Sequence, residues 1–341
     1  MRGGSAKGLF FHERDLPQDP AERDRLFVRL LGAPDPKQID GLGGGSPFAS
    51  RIGIVSPSMR ENTEVDFVFG LLNPARDRVV FEGTCGNLLS AVGPFAIDEK
   101  LVPVHEPVTR VRIYDVNTKE QILAEVPMSN GRAKTEGTYS ILGVPGTGAR
   151  IDLHFSQTSG TITGKLLPTG LVRQKLETSR GTFEVSLVDA IAPTVFVHAK
   201  EVSLIGDETP EAVEKNVNLL LLLELIRQRG GVEMGIPPSH HLPKVVFVSR
   251  PKSGETLTAR LMSMGKIVKD YTISCGICTA IAARLPGSIP HEVSQNGGDF
   301  VRIGHPTGVF EIGAKVEGTR VEDVTVPRTA RRLMKGNAYD L

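Results

Sequence analysis

The sequence predicts an α+β fold built as two similar halves, and three observations carry that prediction. Strand-like runs outnumber helical ones and do not alternate with them as they would in a doubly wound sheet. A unit made of a strand-like approach, a Cys-Gly pair and a small-residue helix occurs twice, as FEGTCGNLLSAVG from Phe81 and as YTISCGICTAIAARLPG from Tyr271. The two Cys-Gly pairs stand 190 residues apart (275 minus 85), more than half of a 341-residue chain that is itself long for a single core.

Taken in order, the first element is DPAERDRLFVRLLG (Asp19–Gly32), which opens with Asp beside Pro and ends at Gly, the start and stop signals of a helix. Six short β-branched runs read as strands: SRIGIVSPS, EVDFVFGLL, TRVRIYDV, TFEVSLVDA, PTVFVHA and KVVFVSRP. Between the last two, TPEAVEKNVNLLLLLELIRQRG (Thr209–Gly230) reads as one helix, opened by Thr-Pro and stopped at Gly230. Its apolar stretch VNLLLLLELI is far too short for a membrane span. A helix is also expected after each cysteine cluster. The opening MRGGSAKG lacks an apolar signal core, so an intracellular, cytoplasmic protein is expected, with no membrane partner.

Composition narrows the function classes. Hydrophobic residues make up 40% and charged ones 23%, ordinary values for a globular protein. A formal net charge of +1, with no Lys/Arg block and no Trp, argues against a nucleic-acid surface. Three cysteines (Cys85, Cys275, Cys278) are too few for a disulfide framework. Cys275 and Cys278 form a C-x-x-C, but no second pair completes the four ligands of a zinc site, and His240 and His241 are merely adjacent. No metal site and no cofactor are expected.

Chemistry points first to Cys85. It stands at the expected start of a helix, where backbone N–H groups and the dipole stabilise a thiolate and lower its pKa. Gly86 permits close approach and Asn87 can cap the helix or donate to a ligand. A buried thiol that packs like a small hydrophobe fits the same local sequence. The loop QIDGLGGGSPFASR (Gln38–Arg51) offers backbone N–H groups and the hydroxyls of Ser46 and Ser50, yet matches no nucleotide-binding fingerprint. Three further glycine-rich segments pair cations or hydroxyls with pliant backbone: RGGSAKG (Arg2, Lys7), SGTITGKLLPTG (Lys165, Thr169) and RIGHPTG (Arg302, His305, Thr307). Together they suggest a site for a small polyanion, with Arg2, Lys7, Lys165 and Arg302 as candidate carboxylate partners. His305 sits in a tight Gly-Pro turn and suits either a structural or a catalytic role.

Six motifs, MRGGSAKGLFF, APDPKQIDGLGGG, CGNLLSAVGPFAI, GVPGTGARI, TGKLLPTG and IGHPTG, resemble in order the PrpF-like family of 2-methylaconitate cis-trans isomerases. That family also contains 4-oxalomesaconate tautomerases, methylitaconate isomerases and aconitate isomerases. The resemblance runs from residue 1 to about residue 320. It implies the diaminopimelate-epimerase-like fold, two domains each with a sheet curved around a central helix, related by a pseudo-two-fold axis with the active site in the cleft between them. Residues 1–158 with 318–341 would form the first domain, carrying Cys85, and 159–317 the second, carrying Cys275 and Cys278.

The resemblance also implies cofactor-independent proton transfer on an unsaturated tricarboxylate such as aconitate or 2-methylaconitate. The family's first-domain cysteine matches Cys85, and its partner is a lysine after the glycine-rich loop. Here that lysine is Arg51, preceded by PFA in place of the usual Ser/Thr run. Arginine stays protonated and is a poor base, though it can clamp a carboxylate or stabilise a dienolate. The family's Asn before Pro in the DAxNP segment is Ala192, and Ile273 stands where an epimerase's second cysteine would, with Cys275 offset by two. The expected machinery is therefore Cys85 for proton transfer, Arg51 for binding or polarisation, Gly86 and Asn87 for a carboxylate, and a second proton from Cys275, His305, Lys7 or water. A keto-tricarboxylate tautomerase and a non-catalytic polycarboxylate- or partner-binding member are the other readings. The expected partner is a small unsaturated di- or tricarboxylate, and a homodimer is a compatible assembly.

Overall fold

A computed structural model describes residues 1–46, 48–73, 77–295 and 298–339. Pro47 of the glycine-rich loop and the last two residues of the first expected domain lie outside the described residues. The chain forms two units, Met1–Phe155 with Pro327–Leu341, and Ser156–Val326.

The first unit runs β1 (Arg2–Gly3), β2 (Ala6–His12), α1 (Pro20–Leu31), β3 (Arg51–Pro57), β4 (Val65–Leu72), β5 (Val79–Val80), α2 (Gly86–Leu89), α3 (Val92–Asp98), β6 (Val108–Asp115), β7 (Glu120–Ser129), β8 (Arg132–Ala133) and β9 (Ile151–Phe155). The second runs β10 (Gln174–Thr178), β11 (Gly181–Val188), β12 (Thr194–His198), α4 (Pro210–Glu214), α5 (Val217–Glu233), β13 (Lys244–Ser249), β14 (Leu257–Ser263), β15 (Lys266–Val268), α6 (Ile273–Arg284), α7 (Ile289–Val293), β16 (Phe300–His305), β17 (Gly308–Glu317) and β18 (Arg320–Arg328), whose last two residues, Pro327 and Arg328, belong to the first unit. The chain ends with β19 (Ala330–Arg331), which pairs with β1.

The two units repeat one order of strand pairing. In the first, β2 is parallel to β3, β3 antiparallel to β4, β4 parallel to β6 and β6 antiparallel to β7. In the second, β12, β13, β14, β16 and β17 follow the same order and senses. Parallel neighbours require a crossover, usually helical. Accordingly α1 fills the first crossover and α2–α3 the second, and in the other unit α4–α5 and α6–α7 do the same.

The second crossover is the buried one in each unit. Every residue of α3 up to Ile97 is buried, as are Leu88 and Leu89 of α2. A Cβ on Gly93 would come 2.8 Å from Cγ2 of Val126, so glycine is what lets α3 settle on β7. In α6 all residues from Cys275 to Ala283 are buried. The first crossovers are amphipathic: α1 buries Phe27, Leu30 and Leu31 and leaves its charged face in water.

All six predicted strands are strands, and α1 has the caps its sequence announces. Asp19 accepts from the Glu22 N–H at 2.8 Å, and Gly32 ends the helix at φ 77°. The long helix expected over 209–230 is instead two, because Asn216 caps a second start by accepting from the Leu219 N–H at 3.1 Å. Nor does Gly230 stop it, since α5 continues to Glu233. A Cβ at Gly230 would stand 2.4 Å from Val195 Cγ2, so this glycine serves close packing on β12. Among the described residues no helix is long and apolar enough to cross a membrane.

Candidate active site

In the first unit Cys85 is itself the N-cap residue of α2, in extended conformation, and its Sγ accepts the Leu88 N–H at 3.3 Å. The side chain is 8% exposed. Arg51, the first residue of β3, donates from Nη1 to the same sulfur. Its place is set by the register of β2 and β3, which puts Arg51 opposite Gly8. A Cβ on Gly8 would lie 2.8 Å from the Arg51 carbonyl oxygen and 3.1 Å from Leu88 Cδ1, so only glycine lets strand and helix close up beside the thiol. The guanidinium also lies 5.3 Å from the centre of the Phe48 ring.

Asn87 is held from two sides. Its Oδ1 accepts from Arg328 Nε at 3.1 Å and from the Ser5 N–H at 3.4 Å. Gly4, at φ +51°, passes so close that a Cβ would meet this oxygen at 2.2 Å. Arg328 is a residue the sequence reading missed. It lies 7% exposed at the end of β18, and its Nη1 donates to the Pro327 carbonyl at 2.8 Å. Burial pulls its pKa down to about 10, against the opposing influence of Tyr139 and Cys85.

The electrostatics of Cys85 differ from the sequence expectation. Burial pushes the thiol above its usual value, and Arg51, the Leu88 and Asn87 N–H groups and Arg328 only partly offset that rise. At neutral pH the sulfur carries its proton, and the two guanidiniums stabilise the anion that forms when it leaves. Behind Cys85, the Thr84 hydroxyl donates to Asp115 Oδ2. Asp115 is fully buried, its carboxyl raised by burial despite bonds from Thr84 and from the Asn117 and Thr118 N–H groups.

The glycine-rich loop closes around a residue not singled out from sequence, Gln38. Its Oε1 accepts from the Gly45 N–H at 2.8 Å and from the Ser50 hydroxyl at 2.6 Å. Ser50 is fully buried and also donates to the Ser46 carbonyl at 2.8 Å, so it shapes the loop. Lys7 lies against this loop: its N–H donates to Phe48 O at 2.9 Å, and a Cβ on Gly44 would be 3.2 Å from Nζ. Arg2 donates from Nη1 to Gly4 O, Thr329 O and Thr329 Oγ1 at 2.9 to 3.0 Å. The structure thus gathers Cys85, Arg51, Gly86 and Asn87, with Arg328 added.

The second-unit candidates fall into separate places. Cys275 is the third residue of α6, and the cap is Thr272, whose Oγ1 accepts the Cys275 N–H at 3.3 Å. As the cap of its helix, Thr272 holds the place that Cys85 holds in α2, three residues before the Cys275 of the Cys-Gly repeat. Cys275 is fully buried and burial raises its pKa. His305 ends β16, its Nδ1 3.2 Å from Thr307 Oγ1 and its ring centre 6.0 Å from that of Tyr271. Burial lowers its pKa, and Thr307 donates to Asp270 at 3.1 Å. Arg302 is paired with Glu311 at 3.2 Å and bonded to Gly254 O at 2.7 Å. Lys165 is exposed in a turn, and Thr169 donates to Gln174 at 2.6 Å. Among the described residues no group of three or more His, Cys, Asp or Glu could hold a metal ion.

Residues 1–340 match the family described as PrpF protein. A 3-methylitaconate isomerase of Eubacterium barkeri is 41% identical, over 99% of this chain and 95% of its own length. A 2-methyl-aconitate isomerase of Shewanella oneidensis is 33% identical, over 98% of this chain and 94% of its own. The crystal structure of a methylitaconate-delta-isomerase superposes with a TM-score of 0.93 at 40% identity, covering 98% of this chain and 92% of that one. A chain matched from end to end, with the cysteine and cation its motifs announce standing in contact, belongs to the PrpF family of isomerases.

Proposed function

We propose that the protein catalyses a cofactor-independent proton shift on a small unsaturated di- or tricarboxylate, of the aconitate or itaconate kind, with Cys85 as the proton carrier. The contact of the Arg51 guanidinium with Cys85 Sγ is the observation that carries this reading. The substrates named for the relatives include both a methylitaconate and a methylaconitate. The repeated strand order supports reading each unit as one copy of a diaminopimelate-epimerase-like domain.

The chemistry follows from the charges. A C–H between a carboxylate and a double bond is acidic only when the dienolate it leaves is stabilised. Arg51 and Arg328 are the fixed cations for that purpose, and Gly86 and Asn87 hold the carboxylate against them. In the reactive form the Cys85 S–H bond has broken and its proton has passed to solvent, Arg51 and Arg328 holding the thiolate. The thiolate then takes the allylic proton: the C–H bond breaks, an S–H bond forms, and the electron pair spreads over the dienolate. The same thiol then returns its proton at the far carbon, moving the double bond, or at the original carbon after rotation, exchanging cis for trans. Because Arg51 stays protonated, a single sulfur serves as base and then as acid.

The test is NMR in deuterium oxide with cis-aconitate, trans-aconitate, 2-methylaconitate, 3-methylitaconate and 4-oxalomesaconate. Isomerisation or exchange of at least one, lost by about 10²–10⁴-fold in Cys85→Ser, is expected. Silence with the whole panel sinks the proposal, as does full activity in the serine variant.

A further inference from the structure

A cavity of about 530 Å³ opens in the first unit between the β1–β19 ribbon and the segment 135–147. None of Cys85, Arg51 or Asn87 lines it. The register of the ribbon places Arg2 directly opposite Arg331, so two guanidiniums share one face, an arrangement that destabilises a strand pair unless something neutralises it. Both arginines line the cavity. Among the described residues neither forms an ion pair, and Glu136, which also lines the cavity, is joined to neither. Burial and the charge of Arg331 together depress the pKa of Arg2. Only Nη1 of Arg2 is engaged among the described residues, by Gly4 and Thr329, which leaves the rest of the planar fork for a bidentate acceptor.

We propose that this cavity is a second anion site, binding a small aliphatic carboxylate whose oxygens bridge Arg2 and Arg331. The volume falls within the range of small-molecule sites, roughly 300–1,000 Å³. Hydroxyls of Thr135 and Thr147 stand on its wall for the remaining oxygens, and Ile141, Val144 and Leu333 supply an apolar side for a carbon skeleton. That apolar wall favours a carboxylate over inorganic phosphate. Arg2, expected from sequence to meet the substrate beside Cys85, serves this cavity instead.

The experiment is calorimetric titration with tricarballylate, a saturated tricarboxylate that cannot isomerise, and separately with inorganic phosphate. It uses the full chain and its Arg331→Gln, Arg331→Glu and Arg51→Gln variants. Arg331 is exposed on a two-residue strand, so its replacement leaves the fold intact. Two classes of tricarballylate site are expected in the unaltered protein. Arg331→Gln weakens one class by about tenfold. Arg331→Glu abolishes that class and raises the melting temperature, because its carboxylate now faces Arg2. Arg51→Gln weakens only the other class. A single class lost with Arg51→Gln overturns the proposal, and so do Arg331 variants that bind like the parent. Phosphate bound through Arg331 without tricarballylate overturns the carboxylate assignment.

Discussion

Arg51 reaches across from the first residue of β3 to donate a hydrogen bond to the sulfur of Cys85, the cap of α2. Burial raises the thiol pKa and Arg51 is the largest influence pulling it back. Removing that charge leaves burial less opposed, so the Arg51→Gln thiol ionises at still higher pH. Alkylation of Cys85 by iodoacetamide, followed against pH, should show its midpoint move upward, with turnover falling by about 10²–10³-fold. Arg51→Lys should keep the midpoint nearer the parent, since a cation remains. An unmoved midpoint in Arg51→Gln would separate the contact from the chemistry.

The carboxyl pair behind Cys85 gives the fold a pH dependence. Asp115 and Glu120 are cross-strand partners at the turn of β6 and β7. Burial, then the neighbouring Asp115, raises the pKa of Glu120 from 4.5 to about 7. The native state therefore holds a proton that the unfolded chain has released between those two values, and stability falls as pH climbs through that window. Glu120→Gln should remove this slope. Relative to the parent it should gain about 1–2 kcal/mol at pH 8, after discounting for partial exposure, with the gain shrinking towards pH 5. Urea midpoints at both pH values measure it, and parallel pH profiles would contradict the assignment.

Glu99 behaves in the opposite sense. It accepts from Lys335 at 2.8 and 2.9 Å, Arg332 at 2.5 Å and His12 at 3.1 Å, tying α3 to the C-terminal segment. Burial would raise its pKa, but the bonds from Lys335, Arg332 and His12 hold it at about 2. Its folded pKa lies below the unfolded 4.5, so its contribution is present above that value and is lost as pH falls towards 2. Glu99→Gln should destabilise by about 2 kcal/mol at pH 7, with a difference that closes below pH 3. Chemical denaturation of both proteins across this range checks the sign.

What was legible in the sequence depended on how local its cause was. Asp19 and Gly32 bounded α1 because a cap and a left-handed turn are decided by a few neighbouring residues. The six β-branched runs were equally plain, and Cys85 and Arg51 stood out through the motifs around them. Gln38, Arg328 and Thr272 were not legible. Gln38 matters only once its loop closes on it, and Arg328 meets Asn87 across 241 residues of sequence. Thr272 was hidden because the more conspicuous Cys275 invited a Cys-Gly register, whereas the helix begins at the hydroxyl that accepts the Cys275 N–H. Even the internal repeat was clearer in strand order than in residues.

Gly230 tests the same distinction energetically. Read from sequence it ends a helix, and Gly230→Ala should then be harmless or stabilising by up to about 1 kcal/mol through helix propensity. In the fold it lies inside α5, where an added Cβ would stand 2.4 Å from Val195 Cγ2 on β12. Val195 is fully buried and β-branched, so it has little freedom to turn away. The clash outweighs the propensity gain, and Gly230→Ala should destabilise by about 1–3 kcal/mol. Gly230→Ala with Val195→Ala should recover most of that overpacking, leaving mainly the loss of the valine side chain. Urea unfolding of both single variants and the double variant reads the coupling, and strict additivity would show that the two side chains do not meet.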